Sequence, residues 1–317
     1  LDQPVSNSDR VQPFTVRPGD DAGTIGEHLE SARLVSSGLA FRVLATSRGA
    51  SASLKAGDYS LRPNMRPSEI VDVLRGGGVA SHVLTVPEGW QLGQIRRALV
   101  DQAGLPPVEI EAALAADHAE SFEFLRERPA GATLEGYLFP ATYPLTPRPA
   151  ATDLIRQMLQ VFGRQVSADL RRSLEARDLT LHEAVTLASI VEREAVHADE
   201  RPLIAGVFFN RLRRGMALQA DPTVQYALAR IPGPLASTGV WKAPLSRDDL
   251  QVDSPYNTYR HRGLPPGPIA SPGRQSLEAV AAPEATEFLY FVAKPDGRHV
   301  FATSYSEHQR NVDQYQR

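Results

Sequence analysis

Apolar residues recur at helical spacing between residues 181 and 196, and this stretch organises the chain. At about 100° per residue, Leu181, Ala184, Val185, Ala188, Val191, Ala195 and Val196 share one broad arc. His182, Thr186, Ser189 and Arg193 fall largely on the other side. Thr180 and Glu183 have the spacing of a capping box at the helix start. Glu192 projects into the middle of the apolar arc, and Glu194 falls about 160° away from it, on the polar side. A carboxylate on an apolar arc either finds a partner, usually an arginine or backbone N–H, or protonates. Glu192 is therefore the partner in a buried salt bridge or a carboxylic acid of raised pKa, the kind that serves as a general acid.

The rest of the chain alternates strand and helix signals. Residues 1–10 are polar and aperiodic and read as a tether. Phe14 and Val16 lead to a Pro18-Gly19 turn, and Ile25 and Leu29 mark a helix after it. A second helix is expected around 41–44, then a turn and strand over 54–61. Ser68 is placed to cap a helix carrying Ile70, Val71 and Leu74, which Gly76-Gly77-Gly78 ends. Thr85-Val86-Pro87-Glu88-Gly89 then echoes Thr15-Val16-Arg17-Pro18-Gly19, with an Ile and a Leu at matching distances in each copy. A diverged duplication and the commonness of such a unit explain the echo equally well. Over 11–82 the unit resembles the LysM module, which binds glycans containing N-acetylglucosamine. A generic small α+β domain is the alternative.

Beyond residue 104 come surface helices, then a helix over 153–174 with Leu154, Ile155, Met158, Leu159 and Phe162 as its core face. Ile204, Val207, Phe208 and Leu212 form another helix stripe, which Gly215 ends. A Pro-, Gly- and Ser-rich loop is expected over 231–250, and a second proline-fixed path over 263–273. A helix from Ser276, a hairpin joining 289–293 to 299–302 through Pro295-Asp296-Gly297, and a polar helix with His308 complete the chain.

Composition narrows the function. The 317 residues are 42% hydrophobic and 22% charged, enough for two cored domains. A net charge of −3 gives nucleic acid no electrostatic footing. The absence of cysteine removes disulfides and thiol chemistry, and the eight histidines lack metal spacing. No nucleophile elbow, phosphate loop, dinucleotide fingerprint or H-E-x-x-H is present. Carboxylate chemistry remains. Glu135-Gly136-Tyr137-Leu138-Phe139-Pro140 combines a carboxylate with two aromatics, which suits a sugar site or a buried aromatic corner. Asp221 before Pro222 suits a helix entry. Gln219 has no such structural explanation, and a polar cleft role fits it.

These motifs, with A-S-I-V-E-R-E (188–194), F-F-N-R-L (208–212), M-A-L-Q-A-D-P-T-V-Q-Y (216–226), S-P-Y-N-T-Y (254–259), G-L-P-P-G-P-I (263–269) and L-Y-F-V (289–292), occur in one order. Together they closely resemble the bacterial endolytic murein transglycosylases, the YceG-like family. The resemblance implies an α+β fold: a LysM-like subdomain over 11–82 and a mixed α+β catalytic domain over 83–317. It implies cleavage of the N-acetylmuramic acid–N-acetylglucosamine bond within peptidoglycan strands, leaving 1,6-anhydro ends and needing no cofactor or metal. It matches Glu192 to the family's catalytic acid and places Glu135, Tyr137, Gln219, Asp221, Tyr226 and Asn257 in the cleft. It also implies a membrane helix preceding Leu1, a catalytic part outside the cytoplasm, and peptidoglycan synthases as partners. Ala270-Ser271-Pro272 departs from the family pattern, which often has Asn before the proline. A muramidase-type hydrolase, with Glu135 or Asp221 as second carboxylate, and a non-catalytic glycan-binding scaffold are the competing readings.

Overall fold

A computed structural model describes residues 2–8, 11–76, 82–146, 149–231 and 241–316. Gly77 and Gly78, and residues 232–240 of the expected 231–250 loop, lie outside the described residues. The chain forms two compact units. The first comprises Leu1–Leu84 with Tyr143–Ala150, and the second Thr85–Thr142 with Ala151–Arg317. The break expected after residue 82 is two residues from this division. The return of 143–150 to the first unit went unread, because a long-range strand pairing leaves no local pattern.

In the first unit, β1 (Gln12–Val16), α1 (Ala22–Ser31), α2 (Gly38–Ser47) and β2 (Gly57–Leu61) follow in order, then α3 (Pro67–Gly76). Strands β1 and β2 pair antiparallel, with Phe14 opposite Tyr59. Period-two alternation along β1 turns Phe14 and Val16 onto Ile25, Leu29, Phe41, Leu61, Ile70 and Leu74. Strand β3 (His82–Thr85) pairs with β4 (Thr142–Leu145). The N-terminal stretch expected as a tether is instead tied down. The Ser68 N–H and hydroxyl donate to the two Asp2 carboxylate oxygens, each at 2.7 Å. Ser6 N–H donates to the Pro63 carbonyl, and Asn64 N–H to that of Ser8. Ser68 is thus not a cap: α3 starts one residue earlier, and Asp2 satisfies its open first turn from outside.

The second unit contains α4 (Leu92–Asp101), α5 (Pro107–Ala115), α6 (Ala151–Gln165), α7 (Ala168–Glu175), α8 (Leu181–Glu194), α9 (Arg201–Arg213), α10 (Asp221–Arg230) and α11 (Arg274–Ala281). The antiparallel hairpin β5 (Tyr290–Ala293) and β6 (His299–Ala302) and then α12 (Tyr305–Tyr315) close it. The single helix expected over 153–174 is two, because Ser167 caps a new start at Leu170 N–H. Helix α8 is the centre, packed by α7, α9, α10 and α11. Its capping box forms as expected, Thr180 accepting from Glu183 N–H and Glu183 from Thr180 N–H. Its polar side is not solvated, however. Thr186 and Ser189 are as buried as Val185 and Val191. Thr186 donates to the His182 carbonyl and Ser189 to the Thr186 carbonyl, while Ile269 N–H of the proline-rich path donates to the Ser189 hydroxyl. Among the described residues no helix is long and apolar enough to cross a membrane.

In the first unit, α1 and α2 meet through glycine. A Cβ on Gly26 would lie 2.5 Å from the Gly38 carbonyl oxygen, nearer than atoms pack. Gly26→Ala should force the helices apart and destabilise the protein by about 1–3 kcal/mol. A chemical-denaturation midpoint equal to wild type would refute this contact.

Candidate active site

Helix α8 ends at Glu194 because Ala195 leaves the helical region, at φ −81°, ψ 114°. Glu194 therefore leaves the wall of the helix and faces a cavity of about 430 Å³, lined also by Arg211, Gln219, Asp221, Tyr259 and His308. Each neighbour is fixed from the backbone outward. Arg211, on the last turn of α9, is buried. Its Nε–H donates to the Leu289 carbonyl at 2.6 Å and its Nη1 to the Leu218 carbonyl at 2.7 Å. Gln219 follows at φ +49°, a left-handed backbone that a side chain adopts only when its surroundings hold it. The holding bonds are Gln219 N–H to the Thr258 carbonyl and Ala220 N–H to the Thr258 hydroxyl. Asp221 is the first residue of α10 but does not cap it. Its Oδ1 accepts instead from the Tyr259 hydroxyl at 2.5 Å.

The electrostatics of this pocket favour a proton on Glu194. Burial pushes its carboxyl up to about 8, and the Asp221 carboxylate adds to the rise, against the opposing pull of Arg211 and Arg193. The partial negative charge of a helix C-terminus acts in the same direction as burial. Glu194 accepts no hydrogen bond from a described residue, so its oxygens are not committed to the fold. Burial also raises the Tyr259 hydroxyl, which stays protonated and donating to Asp221.

Glu192 has a different setting. Only 6% of its side chain is exposed. Oε1 accepts from Arg201 Nη2 at 3.1 Å; Oε2 accepts from Gly273 N–H at 3.0 Å and the Ser276 hydroxyl at 2.7 Å. Both oxygens tie α8 to α9 and to the start of α11. Glu88 presses on the same corner: a Cβ on Gly273 would lie 2.0 Å from Glu88 Oε1. Burial, then the nearby Glu192, raises the Glu88 carboxyl. Of the two sequence readings of Glu192, the bonded partner describes what is seen.

Four other expected cleft residues lie in the interior. Tyr137, Tyr226 and Asn257 are at most 1% exposed, and Glu135 is 6% exposed. Leu92 N–H donates to Glu135 Oε1 at 2.8 Å and the Tyr226 hydroxyl to Oε2 at 3.1 Å, so Glu135 holds the start of α4 against α10. Tyr137 meets His182 Nδ1 at 2.9 Å, and His182 Nε2–H donates to the Pro266 carbonyl. Asn257 donates to the Leu250 and Val252 carbonyls and accepts from Tyr259 N–H. None of these four faces the cavity; they form the buried corner and the loop that carries Tyr259. Gln219 and Asp221 do face it. Glu194, Arg211, Tyr259 and His308, which the sequence reading did not place in the cleft, line the same cavity. For Glu194 the helix wheel gives only its separation from Glu192. Among the described residues no cluster of three acidic or imidazole groups could hold a metal.

The comparisons with known proteins agree with one another. The sequence matches the YceG-like family over residues 14–314, and the chain belongs to that family. It is 35% identical over 315 residues to the endolytic murein transglycosylase of Bacillus subtilis strain 168, covering 95% of this chain and 84% of that protein. The protein of the same name from Streptococcus pneumoniae strain D39 is 33% identical over 98% of this chain, which spans 59% of that longer relative. A 2.6 Å crystal structure of a yceG-like protein from Listeria monocytogenes superposes with a TM-score of 0.63 at 33% identity, over 96% of this chain and all of that one.

The buried Glu135 gives the unit a pH dependence. Burial raises its carboxyl from 4.5 to about 7, outweighing the bonds from Leu92 and Tyr226. The folded state then holds a proton the unfolded state has released. Stability is full below the unfolded value and falls as pH rises through the folded one. Between about pH 5 and pH 8 wild type should lose on the order of 2–3 kcal/mol more than Glu135→Gln, read by denaturation at each pH. Parallel pH profiles would show that Glu135 is not the group responsible.

Proposed function

We propose that this chain is an endolytic peptidoglycan lytic transglycosylase whose acid is Glu194, cutting the N-acetylmuramic acid–N-acetylglucosamine bond within glycan strands. The observation that carries this reading is a carboxyl kept protonated near neutral pH at the wall of a cavity. The names of the relatives supply the substrate class. Neutral Glu194 protonates the glycosidic oxygen as the C1–O bond breaks. The substrate's own 2-acetamido group stabilises the oxocarbenium-like centre. The ionised Glu194 then takes the proton of the C6 hydroxyl as its oxygen bonds to C1, which restores the acid and gives the 1,6-anhydro ring. One carboxyl serves twice, and the intramolecular nucleophile outcompetes water by its effective molarity. Asp221, clamped by Tyr259, acts by charge: it sustains the proton on Glu194.

A hydrolase is the second reading, because Asp221 supplies a further carboxylate beside Glu194 and a two-carboxylate glycosidase needs one. Glu192, the acid implied by the family resemblance, is the alternative within the first reading. The βααβ order of the first unit supports a LysM-like, glycan-facing role for it. Anchoring by a helix preceding Leu1, an extracytoplasmic location and association with peptidoglycan synthases belong to the same proposal.

Mass spectrometry of strands digested by wild type should find anhydro ends. Glu194→Gln should leave them undetectable, with an unchanged melting temperature. Glu192→Gln should mainly lower stability, by about 3 kcal/mol, since it strips Arg201 of its buried counter-charge. Full activity in Glu194→Gln with none in a stably folded Glu192→Gln would transfer the role to Glu192. Reducing ends in place of anhydro ends would make the enzyme a hydrolase.

A further inference from the structure

Helix α12 has no buried residue, although it packs on the β5–β6 hairpin. Core burial does not explain why a polar helix closes the chain here. What α12 does present is a stripe. Tyr305, His308, Gln309, Val312 and Gln316 all line the Glu194 cavity. At about 100° per residue they fall within one side of the helix, with Gln314 opposite.

Two residues of the stripe have the chemistry of sugar recognition. Tyr305 is 61% exposed, among the most exposed large hydrophobic side chains of the described residues, and its ring lies 6.0 Å from Tyr290. His308 stacks on Tyr290 at 5.1 Å and 25°, and Arg211 covers the Tyr290 ring at 5.1 Å. The His308 ring is therefore held by stacking rather than by hydrogen bonds: Nδ1 is enclosed and has no partner. Burial, then Arg211, lowers the imidazole's pKa. A neutral ring offers one donor and one acceptor, the pairing that sugar hydroxyls and acetamido groups complement.

We propose that α12 is the saccharide-binding wall of the Glu194 cavity, with Tyr305 as the face on which a sugar ring lies and His308 as the group that hydrogen-bonds it. The acid lies on one wall of the cavity and the recognition surface on another. The substrate class rests on the transglycosylase reading; the binding role of the stripe does not require turnover.

The test measures binding separately from cleavage. Uncrosslinked peptidoglycan strands carrying a fluorophore are titrated with the full chain bearing Glu194→Gln, followed by anisotropy. Tyr305→Ala and His308→Ala, each added to that background, should weaken binding about tenfold. Gln314→Ala, on the far side of α12, should leave it unchanged. Melting temperatures should match the parent, and Tyr305→Ala, at an exposed site, guards against loss of fold. In the active enzyme the same two variants should raise KM more than they lower kcat. Parent-like affinity in both would overturn the proposal while leaving the transglycosylase reading intact. Stripe-dependent binding by a chain whose wild type makes no new ends would uphold the wall and overturn the reaction.

Discussion

A helix enclosed on every side must find a partner for each polar group it carries, and α8 meets that constraint almost throughout. Its N-terminus is closed by the Thr180–Glu183 box. His182 and Ser189 are answered by the proline-rich path, at Pro266 and Ile269. Glu192 is answered by Arg201, Gly273 and Ser276. The many prolines of 263–273 fix that path without requiring backbone donors of their own. The exceptions lie in the last turn: Arg193 Nε is enclosed without a partner, its guanidinium lying over the Trp241 ring, and Glu194 accepts no hydrogen bond from a described residue where the helix stops. Of these two, Glu194 is the one that faces the cavity.

The two glutamates, two positions apart, show how environment divides a single chemistry. An ion pair and two donors make one carboxylate a structural rivet. Enclosure without donors, beside a second carboxylate, raises the pKa of the other. Neither difference lies in the residue type.

Much of the architecture was legible. The period-two strand at Phe14 and Val16, the stripes of Ile25 and Leu29 and of Ile204 and Val207, the capping box, and the hairpin about Pro295-Asp296-Gly297 all lie where local pattern placed them. The site was only half legible. Gln219 and Asp221 face the cavity as expected, but Glu135, Tyr137, Tyr226 and Asn257 build its support from within. An aromatic beside a carboxylate reads the same in sequence whether it stacks on sugar or on His182, as Tyr137 does. On the wheel Glu194 falls on the polar side and reads as facing solvent. That side is largely enclosed, a property of α9, α10, α11 and the 263–273 path rather than of α8 itself.

Arg211 joins parts of the chain that are distant in sequence. Its guanidinium is bonded to two carbonyls, Leu218 before the left-handed Gln219 and Leu289 at the entry to β5. A planar fork with fixed donor angles holds two backbones at a set separation, which a flexible ammonium does not. The width of the cavity is therefore gauged by one side chain. A shift of the hairpin by part of an ångström reaches Gln219 and the α10 start through the same rigid plate, so the shape of the cavity is inherited from the register of a strand.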